Sequence, residues 1–209
     1  MQTRPTPSPQ SRSRVRGKKG ALEQALARTR QAPERYVLLF QDEATFYRQP
    51  TQASLWARQG RSQPRLPWSH RSNTRVRVIG YLDAVRGRVY GEQTSRVSVP
   101  RLIASLRRLA QCYPTAETIF LVWDNWPVHH HPRVQEALQQ YPRIAILWLP
   151  TYAPWLNPIE KIWRCLKQRV THAHPWCDDF GEFRRHIQAQ LDAMTSDSPD
   201  LLRYVGLSV

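Results

Sequence analysis

Cysteine is scarce in this chain: Cys112, Cys165 and Cys177 make an odd number at irregular spacing. That argues against a disulfide scaffold and for a reducing compartment. No apolar run approaches the ~20 residues that a membrane-spanning helix needs. The opening stretch, MQTRPTPSPQSRSRVRGKKG, has no apolar core of the kind a secretion signal carries, and its prolines speak against an amphipathic transit peptide. No internal repeat is visible. Acidic residues are also few, 16 against 31 Lys and Arg, which leaves a formal net charge of +15 over 209 residues. A balance this basic points to a polyanion partner, nucleic acid being the usual one; a merely soluble basic protein is the bland alternative.

What is present begins with a sufficient core. Apolar residues make up 41% of the chain, enough for one domain with a basic extension. The charge is uneven. Residues 1–35 carry nine basic and two acidic residues, and residues 61–108 carry eleven and two, so the rest of the chain sums to −1. Residues 1–20 read as a basic disordered arm or linker, and 21–209 as the folded domain. The pattern predicts a helix over 21–31, then a buried strand at YVLLF. Two β-rich stretches flank Arg86-Gly87 as a hairpin. A helix over 98–114 follows, with a stripe of Leu102, Ile103, Leu106, Leu109 and Ala110. TIFLVWD and RIAILWLP are further buried strands around a short helix at PRVQEALQQYP. Helices from Pro158 to about Val170 and from about Asp179 to Met194 complete the order. Continuous apolar strands with intervening helices imply an α/β sheet covered on both faces, where chemistry gathers at strand C-terminal ends.

Three acids carry the chemical interest. Asp42, in LLFQDEATF, and Asp124, in FLVWDNWPVHHH, are predicted at strand ends. Each has a plain reading as a turn-forming Asp that bonds its own backbone. If the strands pair, however, the two carboxylates meet, repel, and call for a divalent cation. Glu160 lies in LPTYAPWLNPIEKIW. Asn157 is the predicted N-cap and Pro158 the first helical residue, which puts Glu160 at N3, where it can close a capping box. Against capping stands its place at the rim of a stripe formed by Ile159, Ile162, Trp163, Leu166 and Val170.

The stretches FQDEATF, LVWDNWPVHH and LPTYAPWLNPIEKIW, in this order, resemble the catalytic domain of IS630/Tc1/mariner transposases, the IS630 type above all. Thirty-five residues separate Asp124 from Glu160, a spacing the family shares. The resemblance covers roughly 36–170. It implies an RNase H-like fold, a mixed sheet flanked by helices on both faces, with Asp42, Asp124 and Glu160 as the catalytic and metal-binding DDE triad. It implies two Mg²⁺ (or Mn²⁺) ions when DNA is bound, DNA strand cleavage and strand transfer, transposon ends and target DNA as partners, and a homodimer on DNA. A bacterial cytoplasm, with association to the nucleoid through DNA, goes with it. A nuclease of RNase H type without strand transfer and an inactive DNA-binding remnant are the rival readings.

The resemblance also assigns supporting positions. Asn125 and His129 match the family's Asn after the aspartate and its later His; His129 has a phosphate or carboxylate role and a helix-start contact as equal readings. Three consecutive histidines, His129 to His131, cannot all face one ion in a regular helix, which argues against zinc. HAHPWC, with His172, His174 and Cys177, reads as a loop with stray histidines. In WARQGRSQPR, Trp56 reads as core, and Arg58, Arg61 and Arg65 as phosphate contacts. Trp155 and Trp163 read as anchors of the last loop and helix. The family's N-terminal helix-turn-helix modules have no counterpart in residues 1–35, so the chain reads as the catalytic part.

Overall fold

The computed structural model describes residues 9–52, 54, 56, 59–60, 65–71, 73–150 and 154–208, with backbone only for 9–16 and Pro154. Its strands are those the apolar runs dictate. They are β1 (Tyr36–Tyr47), β2 (Arg75–Asp83), β3 (Val89–Thr94), β4 (Thr118–Trp123) and β5 (Ile144–Trp148). The sheet order is β3-β2-β1-β4-β5. Pairing is parallel for β1 with β4 and for β4 with β5, and antiparallel for β2 with β3, so the sheet is mixed. The helices are α1 (Pro9–Gln31), α2 (Val99–Cys112), α3 (Pro132–Gln139), α4 (Ile159–Thr171), α5 (Phe180–Asp192) and α6 (Pro199–Val205). Among the described residues no helix is long and apolar enough to cross a membrane.

The chain divides into two compact units. One comprises residues 1–41, 83–86 and 98–157; the other comprises 42–82, 87–97 and 158–209. In the first, Leu38, Leu39, Ile119, Leu121 and Val122 are buried along β1 and β4, in register from Tyr36↔Thr118 to Phe40↔Val122. The predicted stripe of α2 is narrower than its spacing suggested: Leu102, Leu106 and Leu109 are buried, whereas Ile103 and Ala110 lie at its half-exposed edge. Asp83 closes the end of β2. It accepts from the Val85 and Arg86 amides at 3.0 and 2.9 Å, and from the Tyr113 hydroxyl at 3.3 Å.

In the second unit, α4 buries Ile159, Ile162, Trp163, Leu166 and Val170, the full stripe read from the sequence. Two glycines admit close approaches. A Cβ on Gly80 would stand 2.2 Å from Cη2 of Trp163, so only a bare backbone lets the indole lie there. Gly87, in the hairpin turn, has φ +68, a left-handed conformation that favours glycine.

Three differences from the sequence reading are local. Residues 9–20, read as disordered, are the first half of α1, because after Pro9 no residue of the stretch blocks helical hydrogen bonding. β1 continues to Tyr47, so Asp42 lies inside a strand rather than at its end. The third is α6, which had no counterpart. It starts with Ser198 accepting from the Leu201 amide and stops at left-handed Gly206.

Candidate active site

Asp42 sits in β1 two residues beyond Phe40, the last residue registered with β4. It is half-buried, and its Oδ2 accepts from Nε1 of Trp163 at 3.0 Å. Trp163 comes three residues after Glu160 on α4, and residues three apart share a helix face. Asp42 is therefore tied to the α4 face that carries Glu160. Glu160 is exposed and lies in the first turn. It does not close the predicted capping box. The residue at the N-cap is Pro158, which has no backbone N–H to receive the reciprocal bond, and no side-chain cap is made. Asn157, expected to cap, is buried and donates instead to the Gln41 carbonyl at 3.3 Å.

Asp124 follows β4 directly, two residues beyond Val122, the partner of Phe40 in the register. Its Oδ1 accepts from the Trp126 amide at 3.0 Å and lies 3.0 Å from Nδ1 of His129. Partial burial works against the charged form of Asp124. The His129 bond, the Trp126 amide and the positive character of His129 and His130 outweigh it and hold the carboxyl below the ordinary range. Asn125 donates to the Leu149 carbonyl at 2.6 Å, bracing the turn after β4 against the residue that follows β5.

The three histidines go to three different places. His129 is buried, stacked on Trp123 with ring centroids 4.4 Å apart. His130 stacks on Trp148 at 4.2 Å. His131 is the N-cap of α3, accepting from the Arg133 amide. Of the two readings held for His129, the carboxylate contact is the one present; the helix-start role belongs to His131. Among the described residues no group of three or more His, Cys, Asp or Glu is arranged to hold a metal ion.

Other expectations shift. Trp56 is fully exposed and so is not core, and Trp155, read as an anchor of the last loop, is 75% exposed, whereas Trp163 is buried. Arg65 is exposed, while Arg58 and Arg61 lie outside the described residues. HAHPWC is not a loop with stray histidines throughout: His174 and Cys177 are buried, and His174 stacks on Phe183 and Trp176. The Trp163–Asp42 bond was missed, although the signal was present as an indole three residues from a candidate glutamate in a buried stripe.

Comparison with known proteins bears on these acids. Residues 37–183 match the family described as DDE superfamily endonuclease, a span that includes Asp42, Asp124 and Glu160. The chain is similar to the "Insertion element IS630 uncharacterized 39 kDa protein" of Shigella sonnei, 27% identical over 158 residues, 76% of this chain and 45% of that protein. It thus spans less than half the length of this curated relative. Among solved structures it is similar to the Mos1 mariner paired end complex with Mn, with TM-score 0.66 and 16% identity over 99% of this chain and 63% of that one. It is also similar to the catalytic domain of Mos1 mariner transposase, with TM-score 0.58 and 12% identity over 98% and 91%. At such identities the likeness carries the fold, the RNase H-like mixed sheet flanked by helices. With the sheet, the order of the three acidic stretches and a match over most of its length in agreement, the chain belongs to the DDE superfamily endonucleases.

Proposed function

We propose that this chain is the catalytic part of a transposase, cutting DNA at transposon ends and joining it to a target. Asp42, Asp124 and Glu160 are its metal-holding carboxylates. The observation that carries the reading is the Trp163 bond, which commits Asp42 to the face of α4 that bears Glu160. A tryptophan holding a carboxylate at a helix start is a means of orienting a ligand, and a capping glutamate would not need it.

The donor set fits a hard divalent cation. Three carboxylates offer oxygen only, which suits Mg²⁺ or Mn²⁺, and two ions are proposed with DNA bound. When present, such ions lower the pKa of an attacking water or hydroxyl and stabilise the leaving oxygen. The chain's own residues do the rest. Trp163 N–H orients Asp42, His129 and the Trp126 amide orient Asp124, and Asn125 braces the turn after β4 against Leu149. Arg65, with Arg58 and Arg61, would contact phosphate. DNA is the partner, a homodimer on paired ends the working assembly, and the bacterial cytoplasm the place, at the nucleoid when DNA-bound.

The test uses duplex DNA bearing the terminal sequences of the element, read from the DNA on either side of the gene, with Mg²⁺ or Mn²⁺. Strand cleavage followed by joining supports the proposal. Cleavage without joining makes the chain a nuclease of RNase H type, and binding without cleavage makes it a DNA-binding remnant.

A further inference from the structure

Helix α6 lies wholly after the residues that the family match covers. Seven residues are too few for a helix that stands alone in water, so α6 persists through what it touches. Both of its ends are fastened. At its start Asp197 pairs with Arg88, and the Ser198 carbonyl and the Leu202 side chain lie so close to Gly87 that a Cβ there would collide with them. At its far end the contact is with α4.

An α-helix leaves its last carbonyls without partners inside the helix. In α6 the Gly206 amide serves those of Leu202 and Arg203. The Val205 carbonyl instead accepts from Nζ of Lys161 at 3.0 Å. The Tyr204 hydroxyl donates to the Lys161 carbonyl at 3.5 Å. Consecutive residues of α6 therefore hold one residue of α4 by its side chain and by its backbone. A cation suits this place, because the carbonyl end of a helix carries partial negative charge.

Lys161 directly follows Glu160 in a first turn that has no side-chain cap. Its own amide closes that turn on the Pro158 carbonyl at 3.1 Å. On the other side of Glu160, Ile159 is fully buried. The exposed carboxylate thus stands between a residue fixed by the core and a residue fixed by α6. An uncapped helix end frays unless something outside the helix holds it.

We propose that α6 is a strut that sets the position of Glu160, with Lys161 as the positioning residue through which it acts. The inference rests on Glu160 being a metal-holding carboxylate, as proposed above.

The test compares Lys161→Met with Lys161→Arg, which keeps a donor cation, and with Arg203→Gln, which removes an α6 charge that pairs with Asp200. Amide hydrogen exchange of residues 161–163, without metal, is expected to quicken about 3- to 10-fold in Lys161→Met. Water proton relaxation then follows Mn²⁺ binding to each protein with DNA bound, which reads the ion whether or not a strand is cut. Lys161→Met should weaken that binding about 10-fold, Lys161→Arg should recover most of it, and Arg203→Gln should match the wild type. Unchanged exchange overturns the strut. Faster exchange with unchanged Mn²⁺ binding also overturns it, since α6 would then steady the fold without setting Glu160. An equal loss in Arg203→Gln does the same. A wild type that binds Mn²⁺ more tightly than Lys161→Met yet leaves end DNA uncut keeps the strut and sinks the transposase reading. Cutting, with Mn²⁺ bound equally by every variant, does the reverse. A wild type that binds no Mn²⁺ sinks both.

Discussion

Trp163 shows how one side chain can serve packing and hold a carboxylate at once. Its ring lies against the backbone of Gly80 and its N–H holds Asp42. Adding a methyl at Gly80 puts an atom 2.2 Å from the ring, so Gly80→Ala should destabilise by about 1–3 kcal/mol and depress cleavage, seen as a lower melting temperature and a slower rate. Trp163→Phe keeps the ring's bulk but deletes the bond, and cleavage should fall roughly 10- to 100-fold. Glu160 separates the two readings of its own position. An N-terminal capping role would cost about 1 kcal/mol on loss. Glu160→Gln should leave the melting temperature unchanged while ending cleavage, because no cap bond is made. Asp124→Asn should likewise end cleavage with DNA binding intact or stronger in a filter or gel-shift assay; collapse of binding would mark Asp124 as structural. The three acids were legible from their stretches and order. Their partners were not, because a contact such as Trp163 to Asp42 joins residues 121 apart in sequence.

Among the elements, the strands and α4 were readable because buried strands are continuous apolar runs and a half-buried helix repeats every 3.6 residues. α6 was equally readable in retrospect, with Ser198 and Pro199 at its start and Gly206 at its stop. The first half of α1 was not, because charge obscures helical periodicity in residues 9–20 and its seat on Leu149 is a tertiary contact. Since Gly17 and Gly20 face open space, Gly17→Ala/Gly20→Ala should stabilise α1 by about 0.5–1 kcal/mol per site, read as a higher melting temperature. The segment before α5 was misread for a different reason. His174 and Cys177 are polar by name but are packed under aromatic rings. Burial lowers the pKa of His174 from its ordinary 6.5, and the charge of His186 adds to this, while a bond to the Arg48 backbone opposes it. A histidine whose folded-state pKa is depressed contributes stability that is complete above the unfolded value and is lost as pH falls through the folded one. Stability should therefore decline as pH drops below about 6.5, and His174→Asn should flatten that decline in urea melts taken at a series of pH values.

For the molecule as a whole, the dominant legible quantity was charge. A net +15 pointed to a polyanion before any motif was considered. Its distribution also separated the acidic stretches from the basic ones. Three like charges repel until a metal joins them, and among the described residues no group of three or more His, Cys, Asp or Glu is arranged to hold one. Metal binding and closure of the trio should thus be one event. Chelation with EDTA is expected to abolish cleavage, Mg²⁺ or Mn²⁺ to restore it, and either ion to raise the melting temperature of the wild type more than that of Asp42→Asn. An equal rise in both would detach Asp42 from the metal.

The placement of Asp42 inside an unbroken strand from Tyr36 to Tyr47 has an evolutionary corollary. Loops absorb insertions and deletions, but a pleated strand is a ruler marked in steps of one residue. A single codon gained or lost between Phe40 and Asp42 would turn the acid to the opposite side, and the buried Ala44 and Phe46 with it, and under the proposed function would end cleavage. Length variation among active relatives should therefore fall outside this strand, and decayed copies are where an indel within it would be found.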